Sequence, residues 1–290
     1  MFRIVLSFLV IAQMLFAGCV HFRPEPGFLR SVPVKRVAVN GTKIAYRELG
    51  SGQPLLLVMG YAGTMDVWDP VLVARLARHF RVILFDNRGM GYSGPLSGEL
   101  SMGLMAGDAL GVLDALGIQS AHVLGWSMGC MIVQEMAFRE PERAEKLILY
   151  GPTSAYDGEV RAAVDRMTAC SPEEFAALLF PAQWLSGHPG IFSRLPTSEK
   201  PAEPAVVAAQ KLAMERWGGT RDRLSSLNKD VLLLGGDEDW VTPPWLWLDM
   251  ADELPGAWVV RFRNGGHWLM YQEPERLAEI VQVFLEGNCR

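Results

Sequence analysis

The chain has 290 residues, half of them hydrophobic, which allows one large α/β domain or two small ones. Its formal net charge of −5 gives no reason to expect a nucleic-acid partner. Beyond the N-terminus no stretch is long and apolar enough to cross a membrane, and no Cys-x-x-Cys or His/Cys ligand spacing calls for a structural zinc.

The N-terminus is distinct. Met1-Phe2-Arg3 carries one positive charge, Ile4 to Phe16 is almost wholly apolar, and Ala17-Gly18-Cys19 comes next. A basic start, a short apolar core and small residues at a cleavage point describe a signal peptide over residues 1–18. Leu15-Phe16-Ala17-Gly18-Cys19 resembles the lipobox of bacterial lipoproteins, with Phe16 where Leu is usual. That resemblance implies cleavage before Cys19, a diacylglyceryl thioether on its sulfur, and a membrane-surface partner reached through the lipid anchor. An uncleaved anchor and an ordinary secretory signal are the competing readings, and all three place the protein outside the cytoplasm. Residues 19–33, with three prolines, read as a tether.

Next come two strand-like runs, Val34 to Val39 and Lys43 to Leu49, flanking Asn40-Gly41. Asn-Gly between such runs is a strong hairpin signal, because both turn residues need positive φ. Strands are expected at 55–59, 82–85, 121–124, 146–150, 231–234 and 258–262, and helices at 70–79, 102–116, 244–254 and 274–286. Alternation of this kind predicts a mostly parallel, doubly wound α/β sheet of about eight strands, covered on both faces and entered through an antiparallel hairpin. Ligands in such sheets bind beyond the carboxyl ends of the strands. Residues 153–227 break the alternation with helices at 159–169, 172–179 and 204–217, and read as a helical lid inserted into a core of residues 34–152 and 228–290. Met167, Phe175, Phe180, Trp184, Phe192, Met214 and Trp217 would face the pocket or the body below; plain core packing is the commoner role for such residues.

Gly125-Trp126-Ser127-Met128-Gly129 stands between a strand-length apolar run and the apolar repeat of a buried helix. A serine on a sharp strand-to-helix turn holds its hydroxyl outward, and the glycines remove side chains that would clash there. The N-terminus of the helix after it favours a developing negative charge. Taken alone, the five residues are also compatible with a simple glycine-rich turn.

A serine hydroxyl needs a general base, and the base needs an orienting acid. Of five histidines, His21 lies in the tether, His79 ends a helix, His122 sits at the wrong end of its strand, and His188 falls in the insertion. His267 comes after Asn264-Gly265-Gly266 beyond the last strand, at the ligand edge, and is the candidate base. The acid is expected after another strand, where Asp237, Glu238 and Asp239 stand together. Of the remaining cysteines, Cys130 is expected as buried filler, and Cys170 and Cys289 are candidates for a disulfide in an oxidising compartment.

From about Val37 to Phe284 the sequence resembles the α/β-hydrolase fold superfamily. Gly236-x-x-Asp239-x-x-x-Pro243 is similar to the family's acid loop, which implies Asp239 rather than Asp237 and gives the order Ser127, Asp239, His267. Asp86-Asn87-Arg88-Gly89-Met90-Gly91-Tyr92-Ser93 resembles a segment after the family's fourth strand, with Asp86 and Arg88 held in internal hydrogen bonds. Met59-Gly60-Tyr61-Ala62-Gly63 resembles the oxyanion loop, with Met59 where His is usual; by analogy the backbone N–H groups of Tyr61 and Met128 are the oxyanion donors. The resemblance implies no cofactor and no metal. It implies a serine hydrolase acting on small or medium hydrophobic carboxylic esters through an acyl-enzyme intermediate. The alternatives are a lactonase or C–C bond hydrolase of the same fold, and a non-catalytic lipid-tethered binding protein on this scaffold.

Overall fold

Asn40 and Gly41 adopt φ of 45° and 77° and turn β1 (Lys35–Val39) back along β2 (Thr42–Leu49), as the Asn-Gly pair predicts. The computed structural model describes residues 24–287; the expected signal peptide, the lipidation candidate Cys19, and Cys289 lie outside the described residues.

A short helix, α1 (Phe28–Ser31), precedes this hairpin. After it come β3 (Gln53–Val58), α2 (Pro70–Leu76), β4 (Phe80–Phe85), α3 (Met102–Ala115), β5 (Ala121–Trp126), α4 (Met128–Arg139) and β6 (Ala144–Tyr150). Four helices then stand outside the alternation: α5 (Gly158–Ala169), α6 (Pro172–Leu179), α7 (Ala182–Gly187) and α8 (Pro204–Glu215). The chain returns through β7 (Asp230–Gly236), α9 (Pro244–Asp252), β8 (Trp258–Phe262), α10 (Leu269–Gln272) and α11 (Pro274–Glu286).

The strands form one sheet in the order β1-β2-β4-β3-β5-β6-β7-β8. The β1–β2 and β2–β4 pairs are antiparallel and the other five are parallel. The central strands are buried on both faces, and their side chains alternate between two cores. Leu56, Val58, Val123, Leu149 and Leu233 pack under α3, α4 and α9, whereas Leu55, Leu57, Leu124, Ile148 and Leu232 pack under α2 and α11. Each fully buried side chain of this kind contributes roughly 1.5–3 kcal/mol of transfer free energy.

Local signals set the ends of the helices. Asp69 Oδ1 accepts the N–H groups of Val71 and Leu72, both at 2.8 Å, and starts α2. Ser101 Oγ accepts from Leu104 N at 3.1 Å and starts α3, which ends before Gly117 at φ 66°. Several elements exceed expectation. β3 and β4 begin earlier because Gln53 and Pro54 pair with Phe80 and Arg81, a backbone match that apolar patterning does not register. α1, α7 and α10 are too short to show a helical repeat. The stretch read as a tether is partly folded: Leu29 is fully buried in the α2–α11 core, and the buried Arg47 guanidinium donates to the carbonyl of Val32. The packed body therefore begins before Val34.

Candidate active site

β5 delivers Ser127 at φ 55° and ψ −121°, a backbone state that costs a non-glycine residue of order 1–3 kcal/mol. Neighbouring backbone holds it there, with Ser127 N–H donating to the Tyr150 carbonyl at 2.9 Å. A Cβ on Gly125 would lie 2.6 Å from the Gly129 carbonyl oxygen, and a Cβ on Gly129 would lie 2.2 Å from that of Val58. Both glycines are thus required by close packing rather than by φ.

The loops after β7 and β8 touch. A Cβ on Gly236 would meet the carbonyl oxygen of Gly265 at 2.0 Å, and Glu238 N–H donates to that same oxygen at 2.9 Å. This contact brings His267 to Asp239. The His267 Nδ1 lies 2.8 Å from Asp239 Oδ2, and its Nε2 lies 3.0 Å from Ser127 Oγ. Asp239 and His267 are 3% and 2% exposed. The carboxylate accepts three further bonds: Oδ1 from Val241 N at 2.8 Å and Thr242 N at 2.9 Å, and Oδ2 from the Thr242 hydroxyl at 3.0 Å. A carboxylate so held accepts from Nδ1–H, which leaves Nε2 unprotonated to accept from the serine hydroxyl. Asp237, the competing carboxylate, is not in this line; its backbone N–H donates to the Phe262 carbonyl at 3.0 Å.

Several residues of the site carried no recognisable sequence signal. The His267 carbonyl accepts from the Tyr150 hydroxyl at 2.7 Å and from Trp126 Nε1 at 3.2 Å. Complete burial raises the Tyr150 hydroxyl well above its ordinary range, so it stays a donor. Both aromatics sit in strands, where they read as core. Their polar ends anchor the base from below.

On the other side of Ser127, a Cβ on Gly60 would lie 3.2 Å from Ser127 Cβ, so the 60–63 loop abuts the serine. Tyr61 is the next residue of this loop and shares a cavity wall with Ser127. Met128 is the first residue of α4, where an N–H has no helical carbonyl to bond. Met59 is buried with Met65 and Trp68 and fills apolar space beneath the loop. The loop's far end is pinned by Asp86, whose Oδ1 accepts from Met65 N at 2.7 Å and whose Oδ2 accepts from Tyr92 N at 2.8 Å. Burial pushes the Asp86 carboxyl up to about 7, against the lowering by these two N–H groups. Arg88 makes paired 2.6 Å bonds to the two oxygens of Asp108. Asp86 and Arg88 are thus held internally, as expected.

Ser127 and His267 open on a cavity of about 870 Å³ walled by apolar residues of the sheet edge and the insertion, among them Val67, Met167, Phe175, Val207 and Trp268. Of the apolar residues expected to face the pocket or the body below, Met167, Phe175 and Phe192 line the cavity. Phe180 and Trp184 stack on each other with ring centroids 4.9 Å apart, Met214 is buried in the core, and Trp217 Nε1 donates to Glu135 at 2.8 Å, which is the packing role. Lys211 also reaches the wall, with its ammonium on Asp165 at 2.7 Å and Glu215 at 3.1 Å. Among the described residues no cluster of His, Cys, Asp or Glu is arranged to hold a metal ion.

The sequence model of the alpha/beta hydrolase fold matches residues 53–175, and that of a TAP-like protein matches residues 213–287. The chain is 30% identical to a protein of Azorhizobium caulinodans named "Putative carbamate hydrolase RutD", over 85% of this chain and 97% of that one. It is 27% identical to the 2-hydroxymuconate semialdehyde hydrolase of Pseudomonas sp. strain CF600, over 87% of this chain and 93% of the relative. A thermophilic esterase from Thermogutta terrifontis superposes with a TM-score of 0.76 at 27% identity, covering 87% of this chain and 98% of the esterase. In sequence, in strand order and in the setting of Ser127, the chain belongs to the α/β-hydrolase fold family.

Proposed function

We propose that the protein is a serine hydrolase that cleaves carboxylic esters through an acyl-enzyme intermediate. One observation carries the reading: a continuous hydrogen-bonded line from Asp239 Oδ2 through His267 to Ser127 Oγ, with steps of 2.8 and 3.0 Å. In the proposed mechanism His267 Nε2 takes the Ser127 proton as Oγ attacks the ester carbonyl carbon. Tyr61 and Met128 N–H hold the oxyanion, each contributing roughly 10²–10³ in rate. Asp239 stabilises the imidazolium, which returns the proton to the leaving alcohol. Water, deprotonated by the same imidazole, then frees the acid.

The cavity argues for a neutral substrate with an apolar acyl group. Its wall is mostly apolar, and its lysine is already neutralised by two carboxylates. The helices of residues 153–227 act in this reading as a lid that sets acyl size. The similarity to a thermophilic esterase supports ester chemistry. Similarity to a 2-hydroxymuconate semialdehyde hydrolase favours C–C bond hydrolysis as the second reading. We further propose that residues 1–18 direct export and that Cys19 carries the lipid that holds the protein at a membrane surface; mass spectrometry of the mature N-terminus tests this.

A panel of p-nitrophenyl esters from acetate to decanoate, run beside lactones and a vinylogous 1,5-diketone, tests the function. Turnover of the esters, lost at least about a thousandfold in Ser127→Ala, is expected. Preference for the diketone moves the protein to the second reading, preference for lactones makes it a lactonase, and no turnover of any class together with no fluorophosphonate adduct on Ser127 makes it a binding protein.

A further inference from the structure

Gln210 lies in α8, within the helical insertion, and its side chain is fully buried. Burying an amide is costly unless it is hydrogen-bonded. Gln210 Oε1 accepts from the Ala62 N–H at 2.9 Å. The orientation of the amide is dictated by chemistry, because a backbone N–H only donates. Gln210 Nε2 is buried without a hydrogen-bond partner among the described residues, so the bond to Ala62 is the one that justifies placing a glutamine there.

Ala62 is an unusual residue to hold in this way. It sits at φ 58°, in the left-handed region that costs a non-glycine residue about 1–2 kcal/mol. It comes directly after Tyr61, and the bond from Gln210 fixes the plane of the Tyr61–Ala62 peptide. Only the Tyr61 Cα separates that peptide from the Gly60–Tyr61 peptide, which carries the Tyr61 N–H. Among the described residues the other hydrogen bonds of residues 60–65 are Gly63 N–H to the Gly60 carbonyl at 3.3 Å, Met65 N–H to Asp86 at 2.7 Å, and Val67 N–H to the Thr64 carbonyl at 3.1 Å; of these, the Gly63 and Met65 bonds flank Tyr61 and Ala62. The first acts on the Gly60–Tyr61 peptide from one side, through a long bond, and neither acts on the Tyr61–Ala62 peptide, which Gln210 alone holds by a hydrogen bond among the described residues, at 2.9 Å. On the same helix Val207, one turn earlier, and Lys211, the next residue, line the cavity.

We propose that Gln210 is a positioning residue that aims the Tyr61 N–H at the developing oxyanion and so couples the helical insertion to the chemistry of the sheet edge. The same helix then shapes the acyl space and sets the oxyanion loop. The proposal rests on the reading that Tyr61 N–H binds the oxyanion.

Three variants test it. Gln210→Met keeps the length and removes the acceptor. Gln210→Glu keeps an acceptor at the same reach in either protonation state. Gln210→Asn withdraws the amide by one methylene and carries the test if the methionine variant does not fold. Gln210→Met and Gln210→Asn are expected to lower kcat for a p-nitrophenyl ester by about ten- to a hundredfold, less than deleting a donor outright. KM should stay within about threefold, and the Ki of a trifluoromethyl ketone, whose hemiketal oxyanion uses the same donors, should rise by the factor that kcat/KM falls. Gln210→Glu should stay within several-fold of the parent. Equal losses in the glutamate and methionine variants, or a kcat loss with an unmoved Ki, overturn the proposal. Ser127→Ala is run alongside. If it keeps esterase activity, the functional reading itself fails; if it is dead while Gln210→Met and Gln210→Asn turn over normally, only the role of Gln210 fails.

Discussion

The Tyr150 hydroxyl donates to the carbonyl oxygen of His267 at 2.7 Å and accepts from Met270 N–H at 3.0 Å. One strand residue thereby ties both ends of the turn that carries the candidate base. Tyr150→Phe keeps the ring and removes this tie. Leaving a buried N–H unpaired costs about 1–3 kcal/mol, to be read from urea unfolding. We expect kcat to fall about tenfold with KM little changed, because Trp126 Nε1 still holds the carbonyl. An unchanged kcat would show that Trp126 suffices.

The elbow stores strain that a substitution can release. Ser127→Gly relieves the φ of 55° and should raise the unfolding free energy by about 1 kcal/mol while abolishing activity. Ser127→Ala keeps the strained backbone and should match the parent in stability. Because glycine also costs about 0.5–1 kcal/mol through the freedom of the unfolded chain, a Ser127→Gly variant less stable than Ser127→Ala by that amount would place no strain at the elbow.

His122 gives stability a pH dependence separate from activity. The ring is 3% exposed, and neither nitrogen has a hydrogen-bond partner among the described residues. Burial lowers its pKa in the folded protein, and the weaker attraction of Glu145, 3.8 Å away, does not reverse this. The unfolded chain binds the proton first, near pH ~6.5, so stability is full above that value and falls as the pH drops below it. His122→Phe should therefore lose less stability than the parent between pH 7 and pH 5 in urea unfolding. A larger loss in the variant would contradict the sign.

The helix that carries Gln210 also walls the cavity, which on the proposed function holds the acyl group and can be shortened from that helix. Val207→Trp should lower kcat/KM for a p-nitrophenyl octanoate relative to the butyrate by at least about tenfold, the scale of excluding a methylene or more. An unaltered chain-length profile would put the acyl group elsewhere.

The candidate site was legible in sequence to the extent that topology brings its residues together. Ser127, Asp239 and His267 each stand just beyond the C-terminal end of a strand, and parallel strands present all such ends at one edge of the sheet. Asn40-Gly41 announced the hairpin through the φ that its turn demands. Tyr150 and Trp126 did not stand out, because in a buried strand an aromatic ring looks the same whether or not its polar end is used. Gln210 was hidden for a different reason. It is one polar residue on a short amphipathic helix, and its role arises only when that helix meets a loop 148 residues earlier in the chain. Leu29 was likewise unreadable, since a single leucine in a proline-containing stretch shows no period and its burial depends on the α2–α11 core it joins.

The central claim is that Ser127 is a nucleophile activated by His267. Incubating the folded protein with a fluorophosphonate and mapping the adduct by peptide mass spectrometry tests it most directly. The account predicts one adduct per chain on Ser127, with labelling slowed at least about a hundredfold in His267→Ala. An unlabelled Ser127 in the native protein, or labelling at an equal rate without the imidazole, would contradict it.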